Sequence, residues 1–452
     1  MSAAEGAAQR KPRPAPFVSG STMRHVIVMT LTGALGLMAL FLVDLIDLLF
    51  LSMLNDTAVT AAIGYAGTVV FANLSMAIGS GIAAAALVAR NVGAGDMDRA
   101  RQYSTSALMF SLLAAAAVTL VINLGSGALL SLLGATGEAK HLAQLFIWTM
   151  TPGYILISGA ICCSFILRGL GDAKRAMYIT LSTAIVTACA DPIFIFGFGW
   201  GIQGAAAATV LGYIVSFGIG LHGVVRVHRF LNPMRIGGLK RDFPALWAIA
   251  FPAILTQLAT PFANAYMTRE IAPFGDEAVA GFAIVGRVIP VAFGIIFALA
   301  GSVGPIIGQN FGARRHDRVR QTLTDGLTFS AIYTIATSLV LFVFRHQIAE
   351  AFNAAGRTVD IVVFFCTFIG ISWAFAGAQF VANAAFNNLG RPKLSTWFNW
   401  GKATLGTIPF ALAGAHLGGP EGILAGTAIG SVIFGIASVT VAYRSVRLTA
   451  QG

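Results

Sequence analysis

Residues Gly93 to Gln102 read GAGDMDRARQ, and Gly312 to Gln321 read GARRHDRVRQ, the same stretch with substitutions 219 residues later. The same spacing carries LGDAK at Leu170 to Lys174 onto LGRPK at Leu389 to Lys393. Two separate motifs that agree on one register identify a duplicated half. Both copies are embedded in apolar sequence, and secondary transporters are often built from repeated helix bundles with the substrate path between them.

Composition names the solvent. At 57% hydrophobic, 10% charged and a mean hydropathy of +0.80, the chain lies far from the roughly 25% charged residues of a soluble domain. Stretches of about 20 apolar residues cross a membrane as helix. Twelve are predicted, six per half: 24–53, 60–90, 104–134, 141–168, 176–197 and 203–226, then 243–270, 278–308, 323–345, 358–387, 394–415 and 421–443. The expected organisation is a disordered cytoplasmic tail at 1–23, a first lobe at 24–226, a cytoplasmic linker at 227–242, a second lobe at 243–445 and a short tail at 446–452.

The net charge of +11 follows topology, not nucleic acid. With the N-terminus inside, 23 of the 29 Lys and Arg fall on the cytoplasmic face, and only Lys140, Arg269, Arg345 and Arg357 fall outside. That bias sets both termini inside a cytoplasmic (inner) membrane. The four cysteines (Cys162, Cys163, Cys189, Cys366) lie in apolar segments and read as packed, reduced thiols.

No enzyme motif stands out. The glycines fall inside apolar helices, where they let backbones approach, and no Gly-rich loop ends in Gly-Lys-Ser/Thr. ATP is therefore not expected as a partner, nor is a metal or an organic cofactor. The energy for active transport must come from a coupling ion, proton or sodium. One chain carries both halves, so a monomer is sufficient, with membrane lipids around it.

Ionisable groups inside the membrane are candidates by default. Asp44 and Asp47 in LVDLIDLLF are three residues apart on the first helix, and Asp191 in ACADPIFIFG precedes Pro192 on the fifth. All three lie in the first half, and the repeat of Asp191 is Phe410. Paired carboxylates in an apolar setting load and release a proton, and the same negative charge attracts an organic cation, which gives a route to antiport. The alternative is that Asp44 or Asp191 hydrogen-bonds neighbouring helices as fixed glue.

Taken in order, several stretches resemble the multidrug and toxic compound extrusion (MATE) family, in its bacterial DinF-like branch within the multidrug/oligosaccharidyl-lipid/polysaccharide superfamily. They are SMLNDTAVTAAIG after the acidic first helix, GIAAAALVARNVGAGDMDRAR, LRGLGDAKRAM, ADPIFIFGFGWGIQGAAAATV, FGDEAVAGFAIVGRV and VGPIIGQNFGARRHDRVR. The resemblance spans about residues 24 to 445. It implies an all-α integral membrane fold: twelve transmembrane helices in two pseudo-symmetric six-helix lobes around a central cleft. It also implies alternating access, with export of cationic or amphipathic compounds against a proton or sodium ion. The family's first-helix acid falls on Asp47, with Asp44 an extra acid. Its fifth-helix acid falls on Asp191, with Thr187 where the pattern has Asn, and Thr209 matches the sixth-helix polar position.

The second lobe offers Gln257, Asn264, Glu270, Asn383 and Lys402 as cleft candidates. Glu270 also reads as an interfacial ion pair with Arg269, and Lys402, like Arg287, either snorkels to an interface or faces the cleft. Three functions stay open: an ion-coupled exporter of small organic cations or amphipaths, a flippase for lipid-linked or polar-lipid cargo, and a membrane enzyme or scaffold. The acidic first lobe favours the exporter. The loop motifs at Gly93 and Gly312 read as structure that orients the lobes.

Overall fold

The computed structural model describes residues 15–52 and 57–451, and every regular element among them is a helix. In order these are α1 (Thr22–Ser52), α2 (Thr57–Gly93), α3 (Met97–Leu132), α4 (Gly137–Thr149), α5 (Thr151–Gly169), α6 (Ala173–Pro192), α7 (Gly201–His222), α8 (Ile236–Ile271), α9 (Asp276–Gly312), α10 (His316–Val343), α11 (Arg345–Ala351), α12 (Arg357–Phe364), α13 (Trp373–Asn388), α14 (Pro392–Ala403) and α15 (Ile408–Gln451). In hydrocarbon a helix satisfies its own backbone, so apolar segments of this length have no other stable form.

They make twelve crossings in two lobes, α1 to α7 and α8 to α15. α4 with α5 is one crossing broken at Met150, and α12 with α13 is another. The continuous apolar stretch Pro392–Ala450 holds two crossings. α15 turns back at Gly418 and Gly419, where Gly419 takes φ +60°. Along that hairpin Gly406 meets Gly430 and Gly414 meets Gly422, backbone on backbone, an approach that any side chain would prevent.

The duplication reappears as contact symmetry at the end that carries both termini, the terminal end. There α2 and α9 cross, Gly93 lying on the backbone of Gln309 and Gly312 on that of Arg90. Arg90 Nε donates to the Asn388 carbonyl (2.7 Å), while its repeat Gln309 donates from Nε2 to the Gly169 carbonyl (2.9 Å). Each of these pairs is 219 residues apart.

The first helix of each lobe begins on the other lobe. Val26 and Met29 of α1 sit in the second-lobe core with Val319 and Leu323, and Leu246 and Ile249 of α8 sit in the first-lobe core with Leu108 and Ile166. The offset here is 220, one more than in the loops, so the two halves differ by a single residue between the first helix and the loop motif. Among the described residues, the interlobe hydrogen bonds lie at the terminal end. The seam continues to Met38 and Phe41 of α1, which lie against Gly294 and Phe297 of α9. At that level α9 bends: Phe293 leaves the helical region (φ −113°, ψ 17°) three residues after Pro290. Toward the opposite end Gly67 of α2 and Gly286 of α9 meet nothing within 4 Å, and the lobes part to leave the cleft.

Three expected boundaries shift. Residues 1–14 of the tail lie outside the described residues, but the segment 15–21 is anchored by Ala15 and Phe17, buried between the lobes, and α1 starts at Thr22. The last seven residues of the stretch 227–242 form the first turns of α8, anchored by the buried Asp242. At the other terminus α15 continues through Gln451, covering most of the expected tail 446–452, as Ala442 and Val446 pack into the second-lobe core.

Candidate functional site

Asp44 and Asp47 lie just beyond the last interlobe contact on α1. Asp47 is about 9 Å further along the helix than Phe41, at 1.5 Å per residue. Asp191, fully buried, comes from α6, which packs along α1. Asp47 is the electrostatic neighbour of both Asp44 and Asp191, so the three acids singled out in the sequence lie together in the first lobe, with Asp191 fully buried, Asp47 half-buried and Asp44 on an exposed face of α1. No N–H or hydroxyl donor among the described residues reaches either oxygen of Asp191 or Oδ1 of Asp47, and the two carboxyls lie within hydrogen-bonding reach of each other.

Local sequence explains the placement. Pro192 has no N–H to continue the α-helical ladder, and the chain passes into a π-helical turn, Ile193–Gly197, closed by the Phe198 N–H on the Ile193 carbonyl (2.9 Å). Such widened turns frequently occur at functional sites. One turn before Asp191, Thr187 is buried with its hydroxyl unpartnered and lies against Gly212 of α7. Thr209 bonds its own helix, donating to the Ala205 carbonyl (3.0 Å), so its hydroxyl is not committed to the acids.

Two tyrosines complete the cluster, and neither was singled out from sequence. Tyr213 of α7 feels the charges of Asp44 and Asp47, and it in turn neighbours Tyr154 of α5, whose buried hydroxyl is unpartnered. The available signal was a tyrosine one turn past Thr209 in an otherwise apolar helix. Carboxylates buried without donors are satisfied by a proton or a bound cation, and no Lys or Arg pairs with Asp47 or Asp191 among the described residues.

The second-lobe candidates do not converge in this way. Glu270 accepts from the Tyr266 hydroxyl one turn earlier, near the end of α8, and makes no ion pair with Arg269. Asn264 is exposed, Gln257 and Lys402 are half-buried, and Asn383 is buried with Oδ1 unpartnered. None of the five bonds to another, and Arg287 is exposed on α9. Cys189 is also exposed, unlike the other three cysteines, since it lies on an outward face of α6. Arg168, from the stretch LRGLGDAKRAM, lies in the seam between the lobes toward the terminal end. It is 8% exposed, with its guanidinium reaching Gly33 of α1 and Gly301 of α9 across the seam.

At the terminal end, the Asp172 carboxyl caps α6 by accepting from the Arg175 N–H (3.1 Å), and it also accepts from Arg175 and His228 side chains. Burial pushes this carboxyl up, but the hydrogen bonds from His228 and Arg175 outweigh it and hold Asp172 well below the usual carboxylate range.

The profile of the MatE family matches residues 34–193 and again 252–412, one match in each lobe. The chain belongs to the MatE family. Its relatives span nearly the whole molecule. A protein of Shewanella oneidensis named FAD transporter is 28% identical over 434 residues, covering 95% of this chain and 96% of that one. The multidrug export protein MepA of Staphylococcus aureus is 22% identical over 392 residues, 84% of each chain. Among solved structures, the Vibrio cholerae MATE transporter VcmN superposes with a TM-score of 0.90 at 25% identity, over 94% of this chain and 97% of that one. A MATE transporter described as outward-facing superposes at 0.91 over 98% and 100%, at 21% identity, which speaks for the fold alone. This MatE protein is thus a multi-pass membrane protein with the two-lobed, twelve-helix architecture of those transporters.

Proposed function

We propose that this MatE protein is a secondary antiporter that exports organic cations or amphipathic toxic compounds by alternating access, driven by inward proton flow. The carrying observation is the buried Asp191 carboxyl, which no protein donor or cation among the described residues reaches and which lies within hydrogen-bonding reach of a second carboxyl, Asp47. A group so placed exchanges a proton for a cationic cargo, since one carboxylate cannot hold both at full strength. The relatives named for multidrug export support the reading. The terminal end is assigned to the cytoplasm on the 23 to 4 split of Lys and Arg, in a cytoplasmic membrane. The open cleft then faces outward.

A second cargo class has its own support. Arg168 is a buried cation with no acid partner among the described residues, Lys402 lies within the membrane, and the 28% relative carries the name FAD transporter. A cargo with an aromatic ring system and a phosphate would complement these cations, so flavin dinucleotide belongs beside the organic cations in any transport assay.

The test uses proteoliposomes with an imposed pH or sodium gradient, following a fluorescent organic cation and FAD in parallel. Proton-driven movement abolished by Asp47→Asn and Asp191→Asn is the expected result. Sodium-driven movement that survives both substitutions would move coupling out of the first lobe. Movement of labelled lipid alone would replace the antiporter with a flippase.

A further inference from the structure

The duplicated loop motifs build two quasi-equivalent nodes at the terminal end. In one, the fully buried Asp242 of α8 accepts from Gln102 Nε2 at both oxygens (2.8 Å each) and from Ser106 Oγ (2.7 Å) of α3, with Arg99 at 3.4 Å. Adding 219 to the α3 residues gives Arg318, Gln321 and Asp325 of α10. In this second node Asp325 accepts from Gln321 Nε2 (2.8 Å) and from the hydroxyl of Thr22 on α1. The carboxylate has changed sides.

That exchange leaves Arg318 without the acid that its repeat Arg99 has. Backbone carbonyls of the segment before α1 take its place: Arg318 Nη2 donates to Phe17 (3.0 Å) and Ser19 (3.2 Å). Phe17 is further clamped by its N–H to Gln309 Oε1 (3.0 Å) and by Asn310 Nδ2 to its carbonyl (3.1 Å). Its ring enters the second-lobe core, Ala15 enters the first-lobe core, and Pro16 rests on Gly171 of the first lobe. The Ser19 carbonyl also meets His25 Nε2 at the start of α1 (2.8 Å); beyond α1 itself, the segment is tied to the second lobe by hydrogen bonds and to the first-lobe loop by apolar packing.

We propose that residues 15–21 form a strap that latches the terminal-end gate shut, with Arg318 as the positioning residue that holds it, and that the strap leaves Gly171 before the gate opens. Lobes joined by one segment cannot separate until it releases one side, and the side without hydrogen bonds is the easier to release. The Asp242 node, whose carboxylate sits on α8 itself, does not depend on the strap. The proposal rests on the alternating-access reading, but its test needs no transport.

In protein lacking the exposed Cys189, a spin label at Ser19→Cys, exposed beside the clamp, reports the strap. A label pair at Asp98→Cys and Asp317→Cys reports the gate, both side chains being open to solvent at 94% and 74%. Arg318→Ala is expected to mobilise the strap label and to raise the gate-open fraction about tenfold, the loss of charged hydrogen bonds being of that order. Arg99→Ala should leave the strap label immobile. Phe17→Gly, which keeps the backbone acceptors, should give an intermediate effect, and Arg318→Lys should restore part of the latch. If Arg318→Ala mobilises the strap while the gate distances stay those of the parent, the segment is no latch. If neither label changes, Arg318 does not hold it. Failure of cargo movement with both label responses intact would remove the transport reading and leave the latch standing.

Discussion

The crossing of α2 and α9 predicts that a single methyl group opens the terminal-end gate. A Cβ on Gly93 would lie 2.6 Å from the carbonyl carbon and 2.7 Å from Cα of Gln309, and one on Gly312 would lie 2.8 Å from the carbonyl carbon of Arg90. Ordinary contact begins at 3.4 Å, and the opposing atoms are backbone, so no side chain can swing aside. The helices must part by at least about 0.8 Å, enough to stretch the Arg90 and Gln309 bonds across the same seam. Overpacking of this kind costs about 1–3 kcal/mol, and here only the closed gate bears it, because the glycines separate when the lobes part. The closed-to-open ratio should then fall by about 5- to 150-fold. The 98–317 label pair measures it in protein lacking the exposed Cys189, with longer distances expected in Gly93→Ala and Gly312→Ala. Gly67→Ala, on the same α2 but with nothing within 4 Å, should match the parent. Parent-like distances in both alanine variants, with unchanged cargo movement, would show that this crossing is not the gate.

Other outcomes follow from the same structure. Asp242→Ala strands Gln102, Ser106 and Arg99, and the loss of one partner from a buried charged cluster should lower stability by about 3–5 kcal/mol, read as thermal unfolding in detergent. Asp172 has a depressed folded-state value, so its contribution is present above the unfolded value of about 3.9 and is lost as pH falls through the folded one. The unfolding temperature should hold from neutral pH to about pH 5 and drop on further acidification, with a shallower drop in Asp172→Asn. Cys189 should react with a membrane-permeant maleimide in folded protein, while Cys162, Cys163 and Cys366 react only on unfolding, counted by mass spectrometry.

The architecture was legible because hydrocarbon leaves helices as the only option for long apolar segments, and because two motifs shared one offset. The acids were legible for a related reason: charge inside a membrane segment is rare enough to stand out, and Asp44, Asp47 and Asp191 do come together. Tyr213 and Tyr154 did not stand out, since an amphipathic ring is unremarkable in an apolar helix until a neighbour gives its hydroxyl a role. The strap's sequence belongs to a polar, Ala- and Pro-rich stretch whose local apolar signal is the pair Phe17 and Val18, and the partners that order it, Gln309, Asn310 and Arg318, lie about 300 residues away. Asp242 was placed in a linker because charge density suggests a loop, whereas its contacts come from the other lobe.

The duplicated chain has kept symmetry and lost it in different places, and the division has a physical logic. Closing the terminal end brings two lobes face to face, so a contact that works on one side of a pseudo-twofold axis works on the other: Gly93 with Gly312, Arg90 with Gln309, and the α3 node with the α10 node. Coupling requires no such pairing. On the proposed antiport one acidic site is enough to exchange an ion for a cargo, and a second buried carboxyl in the other lobe would add another costly charge; Phe410 stands where the repeat of Asp191 falls. Even within the symmetric gate the acid has moved from α8 in one node to α10 in the other, and that swap leaves Arg318 free to hold the strap. A charge-restoring change, Thr22→Asp, would place an acid on α1, as Asp242 is on α8. If Arg318 turns to that new carboxylate and leaves the Phe17 and Ser19 carbonyls, the Ser19 label should loosen and the gate-open fraction should rise with it, as in Arg318→Ala; a loosened label over a shut gate would refute the latch.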